Sequence, residues 1–277
     1  MTIVNHNGRL DERQRYERDG FIVTQPILTQ LELRQARQAI EDVMAGRYET
    51  GLAPRDAFRK PDDDPRLSLC KIDQPQVANR TIHRIISKPE IGEYIAALTG
   101  AELVQAWAVQ LLYKPAGSEA ASVGWHQDMA YWQDHWTPDS EVLTAWLAIS
   151  DVAEESGPLC FVRGSHRWGL RPGGSFFEKP DSQSRQSIPL PDGATWEEVT
   201  APMPAGAFSV HHKYTVHGSY PNRSNGPRMS FAIHLRTNRA TPIHGRARVY
   251  DYVGKLSDES VCPILYRAGQ TAEGVLR

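Results

Sequence analysis

The stretch "WHQDMAYW", residues 125–132, sets a histidine and an aspartate two positions apart among aromatic side chains. Burying an imidazole and a carboxylate in apolar company is costly unless something pairs with them. A metal ion satisfies both. In an extended chain, side chains two apart leave the same face, so His126 and Asp128 are expected on one side and Gln127 on the other. A third ligand is at hand in "YTVHGSYPN", where His217 follows the strand-like "AFSVHH". Two histidines and one carboxylate on one face of a metal are the donor set of non-haem Fe(II) oxygenases, with positions left open for reactants. The same donors also suit Zn2+ and hydrolysis. An isolated His-x-Asp pair is weak evidence, but Arg228 adds to it. It follows His217 after the turn-like "GSYPNRSNGP", which predicts that it opens an adjacent strand running back beside the metal. A guanidinium there holds a carboxylate through two parallel hydrogen bonds.

These residues must be positioned by a scaffold. The first hundred residues read as mostly helical. "TQLE", residues 29–32, fits a capping box, followed by a helical stripe of Leu33, Ala36, Ile40, Val43 and Met44 that Gly46 can end. "SKPE", residues 87–90, repeats the capping logic with proline in the first turn, and Gly100 stops that helix. "FIV" at residues 21–23 reads as a short strand, and residues 48–67 as turn-rich around "PDDDP". After Gly100 come short strands rich in β-forming residues: 103–113, 141–149, 159–162, 207–212 and 228–236. Many short strands in a row predict a barrel or jelly roll. No linker separates helices from strands, so one domain over residues 1–277 is expected. It comprises a helical buttress (1–100), a β core (101–236) and a C-terminal extension (237–277). Residues 170–194 are rich in Gly, Pro, Ser and Arg with no period, and a loop of that length is usually functional. It reads as a lid, with Gly173 and Gly174 as its hinge, Phe176 and Phe177 closing over an apolar part of a substrate, and Arg171 and Arg185 meeting an anionic one.

Composition narrows the classes. The 277 residues are 40% hydrophobic and 23% charged, with a net charge of -2, which points to a soluble globular protein without an affinity for nucleic acid or anionic membranes. The three cysteines, Cys70, Cys160 and Cys262, form no metal-binding spacing and read as reduced thiols. No signal peptide, membrane span or targeting tail is evident, so a cytoplasmic location is expected.

Together "WHQDMAYW", "LTAWLAISDVAEESGPLCFVRGSHRWG" and "HGSYPNRSNGPRMSF", preceded by "YERDGFIV" and a capped helix, resemble the phytanoyl-CoA dioxygenase family of Fe(II)/2-oxoglutarate-dependent oxygenases. The resemblance covers residues 16–236. It implies a mainly β double-stranded β-helix, a cupin-like jelly roll, buttressed by N-terminal helices. It also implies Fe(II), 2-oxoglutarate and O2 as metal and cosubstrates. The implied reaction is hydroxylation of an unactivated C–H of a small molecule, a biosynthetic or polar metabolite. Desaturation, epoxidation or ring formation are other outcomes of the same iron site, and a non-catalytic ligand-binding protein is the reading of another class. Carried over, the metal triad falls on His126, Asp128 and His217. The far carboxylate of 2-oxoglutarate falls to Arg228 with Ser219 beside it, and Trp146 lies near the cosubstrate. Lys71 in "LCKIDQ" and Gln110, on the strand before the metal motif, are further contacts. Halogenases of this fold replace the carboxylate with a small residue, so Asp128 favours oxygenation. The family's substrates differ widely, so substrate contacts do not carry over. The aromatic neighbours Trp125, Tyr131 and Trp132 are expected to wall a dry pocket, at least one of them serving only as core.

Overall fold

The computed structural model describes residues 6–58, 64, 67–246 and 250–269. All of "PDDDP" except Asp64 lies outside them. In chain order the elements are α1 (His6–Asp19), β1 (Phe21–Val23), α2 (Gln30–Met44), β2 (Asp56–Phe58), β3 (Cys70–Asp73), α3 (Arg80–Ile86), α4 (Pro89–Thr99), β4 (Leu103–Lys114), β5 (Val123–His126) and α5 (Met129–Trp132). They continue with β6 (Val142–Ala148), β7 (Leu159–Val162), α6 (Ser182–Gln186), β8 (Glu198–Thr200), β9 (Phe208–His212), β10 (His217–Ser219), β11 (Arg228–Thr237) and β12 (Ile264–Arg267).

The capping box forms as its chemistry requires. The Thr29 hydroxyl accepts from the Glu32 amide at 3.3 Å, and the Glu32 carboxylate accepts from the Thr29 amide at 2.8 Å. "SKPE" behaves differently. Lys88, not Ser87, stands at the head of α4, and no side chain caps it. The Ser87 hydroxyl instead donates back to the His83 carbonyl at 2.6 Å and closes α3.

Among the described residues the strands form two antiparallel sheets. The larger has eight strands in the order β1-β9-β6-β11-β4-β3-β2, with β12 also pairing β4. The smaller runs β5-β10-β7-β8. The N-terminal hundred residues are therefore more than a helical buttress, since β1, β2 and β3 complete the large sheet. The extension joins it too, through β12.

Strand alternation decides what each face of the large sheet meets. Leu143, Ala145 and Leu147 of β6, Val210 of β9, Val109 and Leu111 of β4, and Phe231, Ile233 and Leu235 of β11 pack with Ile40, Ile82, Ile91 and Ile95 of the helices. Each of the Leu, Ile, Val and Phe side chains contributes about 1.5–3 kcal/mol on burial. The residues between them turn to the other face: Thr144, Trp146, His211, Ala108, Gln110, Ala232 and His234. This opposite face, with the small sheet across from it, encloses a cavity of about 200 Å³. The jelly roll thus has one face committed to stability and one left for a site.

Candidate metal centre and adjoining pocket

His126 ends β5 and His217 opens β10, and the two stand opposite each other in the antiparallel register. In His126, Nδ1 lies 2.9 Å from the Gly124 carbonyl, and in His217, Nδ1 lies 2.9 Å from that of Thr215. A carbonyl only accepts, so each Nδ1 carries the proton and each Nε2 is left with a lone pair. Burial pushes the pKa of His126 down and that of His217 well below the ordinary imidazole value. Both are neutral, the form that binds metal.

Asp128 completes the set, though not by strand alternation. The strand stops at His126, and Asp128 is helical (φ -56°, ψ -40°) at the head of α5. The turn carries its carboxylate back so that Oδ1 lies 3.8 Å from Nε2 of His126 and 3.7 Å from Nε2 of His217. One donor atom from each of the three lies within 4.8 Å of the others, and all three residues are buried. Gln127 points away from the three ligands. Its amide donates to the Gly169 and Tyr214 carbonyls at 2.8 and 2.6 Å.

The other carboxylate oxygen is held by residues the sequence reading did not assign to the site. Oδ2 accepts from the Thr144 hydroxyl at 2.6 Å and from Nε2 of His211 at 3.2 Å. The Thr144 proton is committed to Asp128, so at the 2.9 Å contact between Thr144 and His234 the Nδ1–H of His234 is the donor. Burial works against the charge of Asp128, but its pKa lies well below the ordinary carboxylate range, because in acid the His217 imidazole takes up a proton ahead of the carboxylate and the hydrogen bond from His211 favours the anion. With Oδ2 accepting two hydrogen bonds, Oδ1 is left beside the two imidazoles as a single-oxygen ligand. Thr144 stands in register with His211 on one side and His234 on the other, a row across β9, β6 and β11.

Arg228 does open a strand, but not one beside β10. It begins β11 in the large sheet and approaches the cavity from across the sandwich. It is 1% exposed. One guanidinium nitrogen donates to the Gly157 carbonyl at 2.7 Å, the group lies 5.0 Å from the Trp146 ring centre, and Nε has no partner. Burial pushes its pKa down to about 9, which leaves it a cation at neutral pH.

Ser219, Trp146, Gln110 and Lys71 all line the same cavity as the triad and Arg228. Lys71 is not available as a lone charge there, because its ammonium sits 2.8 and 3.0 Å from the two carboxylate oxygens of Asp73. Tyr131 and Trp132 form part of the wall, with Trp107, His135, Phe176, Phe177 and Tyr252. Trp125 is the one that serves as core, packed with Cys160, Val162, Ile188 and Val216. Arg171 and Arg185 do not reach the cavity. Arg171 donates to the Pro189 carbonyl at 2.9 Å, and Arg185 lies 5.2 Å from the Trp196 ring centre.

A two-sheet jelly roll with two neutral histidines and a carboxylate converging on one point, and a buried cation farther along the same cavity, defines an iron- and 2-oxoglutarate-dependent oxygenase. The sequence profile of the phytanoyl-CoA dioxygenase family matches residues 16–230, and the chain belongs to that family. Human peroxisomal phytanoyl-CoA dioxygenase is 24% identical over 243 residues, 84% of this chain and 70% of that protein. The ectoine dioxygenase of Bordetella parapertussis is 25% identical over 231 residues, 79% of this chain and 72% of its own. Among solved structures, the epimerase SnoN in complex with Fe3+, alpha ketoglutarate and nogalamycin RO superposes with a TM-score of 0.66 at 21% identity, covering 86% of this chain and 87% of that one. The nitrogen and oxygen donors, the fixed tautomers and the unpartnered Nε of Arg228 all fit a divalent metal with an anionic cosubstrate beside it. No helix among the described residues is long and apolar enough to cross a membrane.

Proposed function

We propose that the protein hydroxylates an unactivated C–H of a small biosynthetic or polar metabolite, using Fe(II) held by His126, Asp128 and His217. The observation that supports this best is a single cavity joining the three ligating side chains to a buried guanidinium with a free N–H. Iron supplies the activation of O2 that couples decarboxylation of 2-oxoglutarate, to succinate and CO2, with oxidation of the substrate.

The chain's own residues do the rest. Arg228 and Ser219 hold the far carboxylate of 2-oxoglutarate, and Trp146 braces the guanidinium. His211, Thr144 and His234 keep the Asp128 carboxylate turned. Tyr131, Trp132, Phe176 and Trp107 exclude water and fix the substrate by shape, so that only one C–H is presented. Lys71, Asp73, His135 and Tyr252 offer polar groups on the same wall, which favours a substrate with both polar and apolar parts.

The test is Fe(II)-dependent succinate formation from 2-oxoglutarate, with candidate metabolites screened by mass spectrometry. A product heavier by one oxygen atom, absent with Asp128→Ala, is expected. A product lighter by two hydrogens would replace hydroxylation with desaturation or ring closure at the same site. A metal-loaded protein that releases no succinate with any substrate and still binds ligands would leave only a binding role.

A further inference from the structure

The end of the cavity near Arg228 is flanked by a second buried cation. Lys114 closes β4 directly opposite Arg228 in the register and is 0% exposed. Its ammonium donates to the Ser219 hydroxyl at 2.7 Å, to the Ser219 carbonyl at 3.4 Å and to the Tyr220 carbonyl. Three oxygen acceptors match the three N–H groups of a charged lysine. The electrostatic influence on Lys114 beyond burial is Arg228, and on Arg228 burial alone acts, so no carboxylate among the described residues offsets either charge. Tyr220, which faces Lys114 through its carbonyl, sends its hydroxyl away to Glu198 at 2.8 Å.

Two consequences follow, one for Ser219 and one for the two cations. A hydroxyl that accepts from an ammonium must send its own proton elsewhere, and Ser219 lines the cavity beside Arg228. Two like charges in a poorly solvated region also repel each other more than in water. Burial and Arg228 accordingly press the pKa of Lys114 well below the ordinary lysine value. An anion in the cavity beside Arg228 and Ser219 offsets both charges.

We infer that Lys114 is a positioning residue for the cosubstrate. Through Ser219 it turns a hydroxyl donor toward the far carboxylate, and with Arg228 it makes this end of the cavity select 2-oxo acids that carry a second carboxylate. The inference rests on the 2-oxoglutarate reading above. It separates the roles of the two cations: Arg228 meets the carboxylate, while Lys114 acts from behind Ser219.

Calorimetry on the anaerobic Fe(II)-loaded protein tests this with two ligands, 2-oxoglutarate and 2-oxobutyrate, which lacks the far carboxylate. A charge-assisted hydrogen bond acting at that carboxylate predicts about ten- to a hundredfold weaker 2-oxoglutarate binding in Lys114→Met. Binding of 2-oxobutyrate should change by less than about threefold, the scatter expected of a residue not involved. Lys114→Gln, which keeps a donor for Ser219 without the charge, should fall between wild type and Lys114→Met. In a Ser219→Ala background the effect of Lys114→Met should shrink, since residues acting as a unit are not additive. Equal weakening of both ligands would mean that Lys114 only supports the fold, and unchanged 2-oxoglutarate affinity in either variant would overturn the assignment. Should Lys114→Met not fold, Lys114→Gln and Ser219→Ala carry the same comparison. A wild-type protein that binds neither acid would remove the functional reading itself, and this inference with it.

Discussion

Thr144 donates its hydroxyl proton to Oδ2 of Asp128 at 2.6 Å, and in doing so decides which oxygen the metal can use. Its remaining lone pairs take the proton of His234, so the bond has a fixed direction. Residues that orient a metal ligand in this way typically matter by about ten- to a hundredfold in metal affinity. Thr144→Val keeps the shape and removes the hydroxyl. Its metal affinity, titrated with Fe(II) or Mn(II), is expected to fall by that amount while the fold is kept. Affinity equal to wild type would mean that His211 alone suffices to turn the carboxylate.

Arg228 is a buried cation whose Nε lacks a partner, next to a tryptophan face that packs against it. Arg228→Met retains much of the volume and loses the charge. Removing one partner of a buried charged pair costs about 2–5 kcal/mol. Cosubstrate affinity should therefore drop roughly 30-fold to several-thousand-fold, while substrate affinity measured separately changes little. A change in 2-oxoglutarate affinity within about threefold of wild type, inside the scatter for an uninvolved residue, would show that the guanidinium only supports the Gly157 turn.

The sequence made some of this legible and hid the rest for physical reasons. The long strands β4, β6 and β11 were readable because β-forming residues fill them and turn-forming residues separate them. The strands that carry the histidines were not: β5 has four residues and β10 three, too few for a pattern. His126, Asp128 and His217 were found by donor chemistry instead. His211, His234, Thr144 and Lys114 look like ordinary strand residues, and only pairing between distant strands sets the first three in one row and Lys114 beside Arg228. Arg228 was correctly placed at a strand start but assigned to the wrong neighbour, because spacing along the chain does not reveal which sheet a strand joins.

Acid should loosen the metal-free fold. Burial, above all, lowers the pKa of His234 to about 4 and that of His212 to about 3. In the unfolded chain both titrate near the ordinary value of about 6.5. Below that pH the unfolded state binds protons that the folded state refuses, so stability is full above about pH 6.5 and declines as pH falls toward the folded values. A fully buried group such as His234 loses up to about 1.4 kcal/mol per pH unit across this window. Thermal melts at pH 7, 6 and 5 should show a steadily falling Tm. A flat profile would mean that these imidazoles become protonated within the folded chain.

Residues 170–194 lie against the segment that carries the metal ligands. Gln127, between His126 and Asp128, accepts from the Arg171 amide at 2.7 Å. The Tyr131 hydroxyl accepts from the Phe176 amide at 2.7 Å, and the Phe176 carbonyl accepts from the Gly124 amide at 3.2 Å. Phe176 thereby lies edge-on to His126, with ring centres 5.4 Å apart. Gly173 and Gly174 were expected to serve as an open hinge, but both are closely packed. They have φ of +82° and +74°, and a side chain on Gly174 would meet the Trp125 carbonyl at 2.5 Å. Their lack of a side chain is needed for the chain to pack this closely at residues 173 and 174. Seating on the ligand-bearing segment should strengthen when a substrate fills the cavity beneath Phe176. Hydrogen exchange across residues 171–185 should therefore slow when substrate joins iron and 2-oxoglutarate. Gly174→Ala should raise exchange there and raise the substrate KM more than the 2-oxoglutarate KM, because Phe176 and Phe177 wall the cavity while Arg228 lies on the opposite sheet. Equal exchange with and without substrate, together with unchanged KM values in Gly174→Ala, would reduce the segment to a fixed surface loop.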